Sequence, residues 1–250
     1  MDLILISIIV LITAAVFSMF GLGGGIVYVP VLYLLGVPIE TAVPTGLFLN
    51  IMTSMSASYS YFKSKLIDFQ FAFPLIVSSV PGALLGAYLI RFFDIKLILI
   101  LFMMFLVFAG LSMMFKRNEG DIPEIHAGKS IKIISGFAFG FIAGIISGII
   151  GIGGGVLIVP ALICLFKVNA KISAATASFV VIFSSASGFL GHILLSEFDF
   201  TIALLTGVFA LVGGQIGARL MIHKFAEDLI RKLFGGVLII IALRLFADLI

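Results

Sequence analysis

Seven stretches of this chain run for 19 residues or more without one Asp, Glu, Lys or Arg: 3–39, 41–62, 69–90, 97–115, 133–166, 172–196 and 200–218. A helix that crosses a bilayer takes ~20 mostly apolar residues, so these lengths decide which solvent the chain folds in. A shorter eighth stretch, 233–243, is bracketed by Arg231, Lys232 and Arg244, whose long stems let their charges snorkel to the surface. Only 11% of the 250 residues are charged and 62% are hydrophobic, whereas soluble domains run at about a quarter charged. Strands are excluded as the spanning element. A membrane barrel shows segments of ~10 residues that alternate apolar and polar, and these runs are apolar all round.

The opening Met1-Asp2-Leu3 lacks the basic start of a secretory signal, and no cleavage site precedes residue 21, so the first run is read as part of the mature chain. Cys164 is the single cysteine, which rules out an intrachain disulfide and a cysteine metal cluster. The net charge of +3 fits loops that face an anionic cytoplasmic leaflet, with the lipid bilayer as partner and no nucleic acid.

An internal duplication organises the chain. GLGGGIVYVP at 21–30 recurs as GIGGGVLIVP at 151–160, a spacing of 130 residues. With one residue inserted the match continues: Thr45 meets Thr176, Thr53-Ser54 meets Ser184-Ser185, Asp68-Phe69 meets Asp199-Phe200, Gly82 and Gly86 meet Gly213 and Gly217, and Phe115 meets Phe246. The expected division is a first transmembrane repeat over 1–115, a polar cytoplasmic linker over 116–132 and a second repeat over 133–250. The fold class is all-α and polytopic, each repeat holding a helical hairpin broken at its glycines plus three transmembrane helices.

Basic residues arbitrate the relative orientation of the copies. With a hairpin and three crossings per copy, Lys63, Lys65, Lys116, Arg117, Lys129, Lys132, Lys167, Lys171, Arg219, Lys224, Arg231 and Lys232 fall on one side and only Arg91, Lys96 and Arg244 on the other. With four crossings per copy the split is nearly even. The positive-inside rule therefore favours two inverted-topology repeats with both termini outside. Charge does not say whether each hairpin spans fully or is re-entrant; the ten-residue arm at 26–35, ~15 Å as helix, favours a turn inside the membrane, and the longer preceding arm argues against it.

Gly21, Gly23, Gly24 and Gly25, and their copies Gly151, Gly153, Gly154 and Gly155, leave backbone amides uncovered and permit positive φ, so helices are expected to unwind there. Bare backbone at membrane depth survives only where protein buries it or where it lines a wet cavity. A half-helix starting at Ile26 or Val156 would aim its free N–H groups and positive dipole end at such a cavity, and inverted repeats bring two such ends to one midplane. The competing reading is that these glycines only let helices pack closely. The GxxxG pairs Gly82/Gly86 and Gly213/Gly217 and the ladder Gly136, Gly140, Gly144, Gly148 are read as such packing ridges.

The two decapeptides resemble the paired signature of the TauE/SafE family of sulfite exporters, and the similarity extends over essentially all of both repeats. The resemblance implies export or uptake of small anions such as sulfite, sulfoacetate or related organosulfur compounds, through seven to nine spanning helices.

Polar residues inside the runs are the remaining candidates for holding a substrate. Thr45, Thr53 and Ser54 lie roughly on one face of their helix with Asn50 between them, and Thr176, Ser184 and Ser185 match on the partner helix. Their hydroxyls can donate to oxyanion oxygens or bond to neighbouring helices. Asn50 and Gln215 have apolar counterparts, Val181 and Leu84, so any site is asymmetric. His192 lies opposite Tyr61 and serves either as a capping or headgroup-level residue or as a proton-coupling group. No Asp or Glu lies within a run, so the intramembrane carboxylate relay of a proton pump is missing.

The reading is a secondary transporter, an exporter of a small anionic substrate, with neither cofactor nor metal and with assembly into a homo-oligomer left open. A non-transporting assembly subunit is the alternative. A membrane-embedded enzyme ranks below it, because the runs offer no acid–base pair or metal set.

Overall fold

In a computed structural model the described residues are 3–89, 95–114, 129–150, 152–193, 198 and 200–249. They are all-helical apart from connecting turns: α1 Leu3–Met19, α2 Gly25–Leu34, α3 Ile39–Lys63, α4 Phe69–Leu89, α5 Ile95–Met114, α6 Lys129–Ile150, α7 Gly155–Cys164, α8 Ala170–Ile193, α9 Phe200–Lys224 and α10 Glu227–Leu249. Each half thus supplies five helices, the second of which is ten residues long in both. Of the expected linker, residues 116–128 lie outside the described residues, and α6 begins at Lys129. Gly151, Arg91, Phe115 and Asp199 also lie outside them.

The glycine segments interrupt the helices as their backbone freedom predicts. At the end of α1, Leu22 N–H bonds to Phe17 O at 3.1 Å and Gly21 N–H to Ser18 O at 3.1 Å, with Gly21 at φ +74°. This is a Schellman closure, which caps the last carbonyls and needs a left-handed residue at that one position. Gly24, at φ +108°, then starts α2, and Gly154, at φ +79°, starts α7.

Packing is reciprocal between the halves. α1 lies against α9 and α6 against α4, α3 against α9 and α8 against α4, and α5 pairs with α10, while α3 and α8 cross at the centre. The GxxxG glycines make these contacts close. A Cβ on Gly82 would lie 2.5 Å from Phe141 O, and one on Gly217 would run into Ala15 O. Association of helices in lipid depends on such close approach, because lipid tails are as apolar as the side chains.

The exterior is greasy. Ile4, Phe73, Phe108, Leu204 and Ile240 are exposed on α1, α4, α5, α9 and α10, and an apolar surface of this extent calls for lipid around it. Among the described residues, Phe69–Leu89, Ala170–Ile193 and Phe200–Lys224 are long and apolar enough to cross a membrane by themselves. The polar side chains are inside instead, with Thr45, Asn50, Thr53, Ser54, Ser178 and Ser185 fully buried.

Candidate functional site

The starts of α2 and α7 meet. A Cβ on Gly25 would lie 2.7 Å from Ile152 O, and a Cβ on Gly155 would lie 2.8 Å from Gly21 O and 3.0 Å from Leu22 Cα. Each short helix therefore begins against the backbone of the other half's glycine segment, with no room for a side chain between them. Each start carries about half a positive charge from its aligned peptide dipoles.

Asn50, near the middle of the 25-residue α3, ties the two segments together. Its Oδ1 accepts the Gly25 N–H at 3.2 Å, and its Nδ2 donates to Ile152 O at 3.3 Å and to Ser185 Oγ at 2.9 Å. Both amide hydrogens and one oxygen lone pair are thus engaged. On α8, Ser184 Oγ donates to Gly153 O at 2.8 Å. Ser54 Oγ is fully buried without a hydrogen-bond partner, and it sits 2.6 Å from where a Cβ on Gly23 would fall. An unmade bond at so buried a hydroxyl carries a desolvation cost of about 1–3 kcal/mol, which an incoming acceptor would relieve.

The halves differ beside the two helix starts. Val181 stands where Asn50 stands in the first half, and its Cγ2 is 2.9 Å from a Cβ built on Gly155, as Asn50 Nδ2 is 3.2 Å from one on Gly25. The first amide of α2 has a side-chain acceptor. Among the described residues, the first amide of α7 has none.

Of the other candidates, Thr53, Thr176, Gln215 and His192 are engaged in the scaffold and Thr45 is not. Thr53 Oγ1 donates to Leu49 O at 2.9 Å and lies 2.7 Å from Tyr28 Oη. Thr176 Oγ1 accepts the Asp68 N–H at 3.0 Å, so the start of α8 lies beside the turn that follows α3. Thr45 Oγ1 is fully buried without a partner. The Gln215 carboxamide bonds to α3 and to its own helix rather than to the glycine segments. Its nitrogen is 2.8 Å from Ser56 O, and its oxygen is 2.9 Å from Ser60 Oγ and 3.2 Å from the Arg219 guanidinium. His192 Nε2 lies 3.1 Å from Gly148 O.

Tyr28 and Tyr61 were not among the sequence candidates. The Tyr28 ring covers Gly24, its Cζ 2.7 Å from where a Cβ would project, and Tyr61 Oη donates to Ser18 O at 2.7 Å. The available signal was a phenol inside an apolar run, which needs a partner for its O–H.

Among the described residues no three His, Cys, Asp or Glu side chains cluster as a metal site. A separate cavity of about 400 Å³ opens between α4, α5, α6 and α7, lined by Leu89, Phe102, Phe105, Phe139, Ile149 and Leu157. Its lining is apolar, so it suits a hydrocarbon and not an ion.

The description "Sulfite exporter TauE/SafE" matches the chain over residues 6–245, which includes both glycine segments and every helix from α2 to α9. The chain belongs to the TauE/SafE family. A probable membrane transporter protein of Bacillus subtilis, YunE, is 31% identical, covering 99% of this chain and 98% of that protein. A probable membrane transporter protein of Methanocaldococcus jannaschii is 24% identical over 88% of this chain and 86% of its own length. Sulfite exporter TauE/SafE family protein 3 of Arabidopsis thaliana is 35% identical over a shorter part, 56% of this chain and 29% of that protein. No solved structure matches the chain. As a TauE/SafE protein the chain is a multi-pass membrane protein of a transporter family and not an enzyme.

Proposed function

We propose that this TauE/SafE protein is a secondary transporter that exports small anions such as sulfite or organosulfonates, held between the N-termini of α2 and α7. The observation that carries the reading is the meeting of two helix starts beside the central parts of α3 and α8, with Asn50, Ser54, Ser184 and Ser185 next to them. Two half-charges of the same sign, a partnerless hydroxyl and several backbone amides favour a negative solute and disfavour a cation. An oxyanion presents several acceptor oxygens, and these groups present donors. Gly21, Gly23, Gly24 and Gly25 and the copies Gly153, Gly154 and Gly155 supply the bare backbone, Gly151 lying outside the described residues. Thr45, Thr53, Thr176 and Gln215 line or brace the surrounding helices.

The two halves are read as inverted repeats. The Asp68–Thr176 bond brings the C-terminal end of α3 to the N-terminal end of α8, while Asn50 and Ser185 join the same helices at mid-length. That pattern supports antiparallel α3 and α8, which are matched helices of the two copies, and it agrees with the one-sided distribution of basic residues. The ten-residue α2 and α7, ~15 Å long, reach from mid-depth to one face, which supports re-entrant hairpins. His192 is the remaining candidate for coupling to protons.

Purified protein in liposomes tests the reading. Sulfite or sulfoacetate flux that saturates with concentration is expected, and no flux across a panel of small anions overturns it.

A further inference from the structure

The asymmetry between Asn50 and Val181 carries an inference about how the unloaded protein treats its own binding site, and it rests on the anion-transport reading above. We propose that the Asn50 carboxamide is an internal stand-in for the substrate, occupying the oxyanion position at the start of α2 until an anion displaces it.

Three observations converge on this role. The Asn50 oxygen takes the Gly25 N–H, the first amide of α2, which is where an anion drawn by the helix start would bond. Its nitrogen spends both hydrogens on the other half, at Ile152 O and Ser185 Oγ, so one side chain closes both glycine segments onto each other. Ser54 Oγ, buried beside Gly23, is left without a partner in this arrangement. A neutral carboxamide fills the place without satisfying that hydroxyl. A charged oxyanion forms a stronger, charge-assisted bond to the Gly25 N–H and takes Ser54 as well. Asn50 therefore holds the empty protein shut and yields to a ligand that bonds better.

The second half has no such stand-in. Val181 presents a methyl to Gly155, so among the described residues no side chain competes for the first amide of α7. Asn50 acts as a positioning residue, and its presence in one half only sets how hard the substrate must compete.

The prediction concerns KM and not only rate. Sulfite flux into proteoliposomes is measured for the native protein and for Asn50→Ala, Val181→Asn and Ser54→Ala. Loss of one net hydrogen-bond competitor lowers KM about fivefold in Asn50→Ala, while the maximal rate falls because the empty protein no longer closes. Val181→Asn adds a second stand-in and raises KM by about the same factor. Ser54→Ala removes a donor that serves only the loaded state, and it also raises KM. A purely structural Asn50 would lower the rate and leave KM where it was, and a direct ligand would raise KM on removal; either result in Asn50→Ala overturns the stand-in. Should Asn50→Ala fail to fold, Val181→Asn decides alone, an unchanged KM counting against the proposal. Absence of flux in the native protein overturns the transport reading and the stand-in with it, whereas native flux with the wrong KM pattern overturns the stand-in only.

Discussion

Tyr61 and His192 make the same connection in the two halves. Tyr61 Oη on α3 bonds to Ser18 O at 2.7 Å, in the last turns of α1, and His192 Nε2 on α8 lies 3.1 Å from Gly148 O, in the last turns of α6. Tyr61 and His192 are matched by the duplication, and so are Ser18 and Gly148. In both places a long central helix bonds to a carbonyl in the last turns of the helix that ends there, in the first half one that also accepts the Gly21 N–H. A phenol and an imidazole can exchange in this duty because each carries one N–H or O–H on an apolar ring.

His192→Tyr is therefore expected to give a folded protein that keeps most of its flux, since the second half then repeats the arrangement of the first. Loss of a pH dependence of flux in this variant, with the rate otherwise intact, would assign proton coupling to the imidazole. Tyr61→Phe removes one of the two bonds to Ser18 O, the Gly21 N–H remaining, and destabilises by about 1 kcal/mol. Thermal denaturation of the detergent-extracted protein measures the change.

Gly25→Val and Gly155→Val place a branched side chain against backbone that cannot withdraw, 2.7 Å from Ile152 O and 2.8 Å from Gly21 O. Flux is expected to disappear in both. Gly24→Val meets a tyrosine ring as well as a left-handed backbone at φ +108°, which costs about 1–2 kcal/mol for any residue with a Cβ. Retained flux in all three reduces the glycine segments to packing elements.

Lys63, at the end of α3, and Lys167, between α7 and α8, are expected on the same side of the membrane. Cysteines placed there one at a time, in a Cys164→Ser background, should react alike with a membrane-impermeant maleimide in oriented vesicles. Labelling from opposite sides rejects the inverted arrangement.

Gly86→Leu is a control for packing without chemistry. A Cβ there already strikes Ile145 O across the α4–α6 contact, so the yield of folded protein should collapse. Ser79→Ala on the same face removes a buried hydroxyl that has no partner, and it should leave both the fold and the KM for sulfite unchanged. A shift in KM would move part of the binding site to α4.

Much of this architecture could be read before any coordinates. The duplicated GxGGG segments announced two helix breaks, because four glycines in five positions cannot hold a helix in an apolar run, and both breaks are present. The count of five helices per half followed from a hairpin and three crossings. The site was less legible, for a physical reason. Hydrogen-bond partners at the centre lie far apart in sequence, Asn50 and Ser185 by 135 residues and Asp68 and Thr176 by 108. Helical periodicity says which residues share a face and nothing about what that face meets. Asn50 stood out because its counterpart is apolar, but its bonds to both halves depend on how α3 and α8 cross. Thr53 and Thr176 looked equivalent to Ser54 and Ser185, and only their neighbours Tyr28 and Asp68 distinguish them.

Where Gly25 abuts Ile152, main chain meets main chain, with the Asn50 carboxamide bonded to both sides. Displacing that one carboxamide still leaves the two backbones in contact, so a solute does not pass by a rotamer change alone. On the transport reading proposed above, the bodies on either side part for every particle that crosses. Throughput is then limited by the opening and reclosing of large pieces, on the microsecond-to-millisecond scale of collective motions. Single-file conduction in the manner of a pore is not expected, and a cross-link that pins the two bodies together should stop the traffic outright.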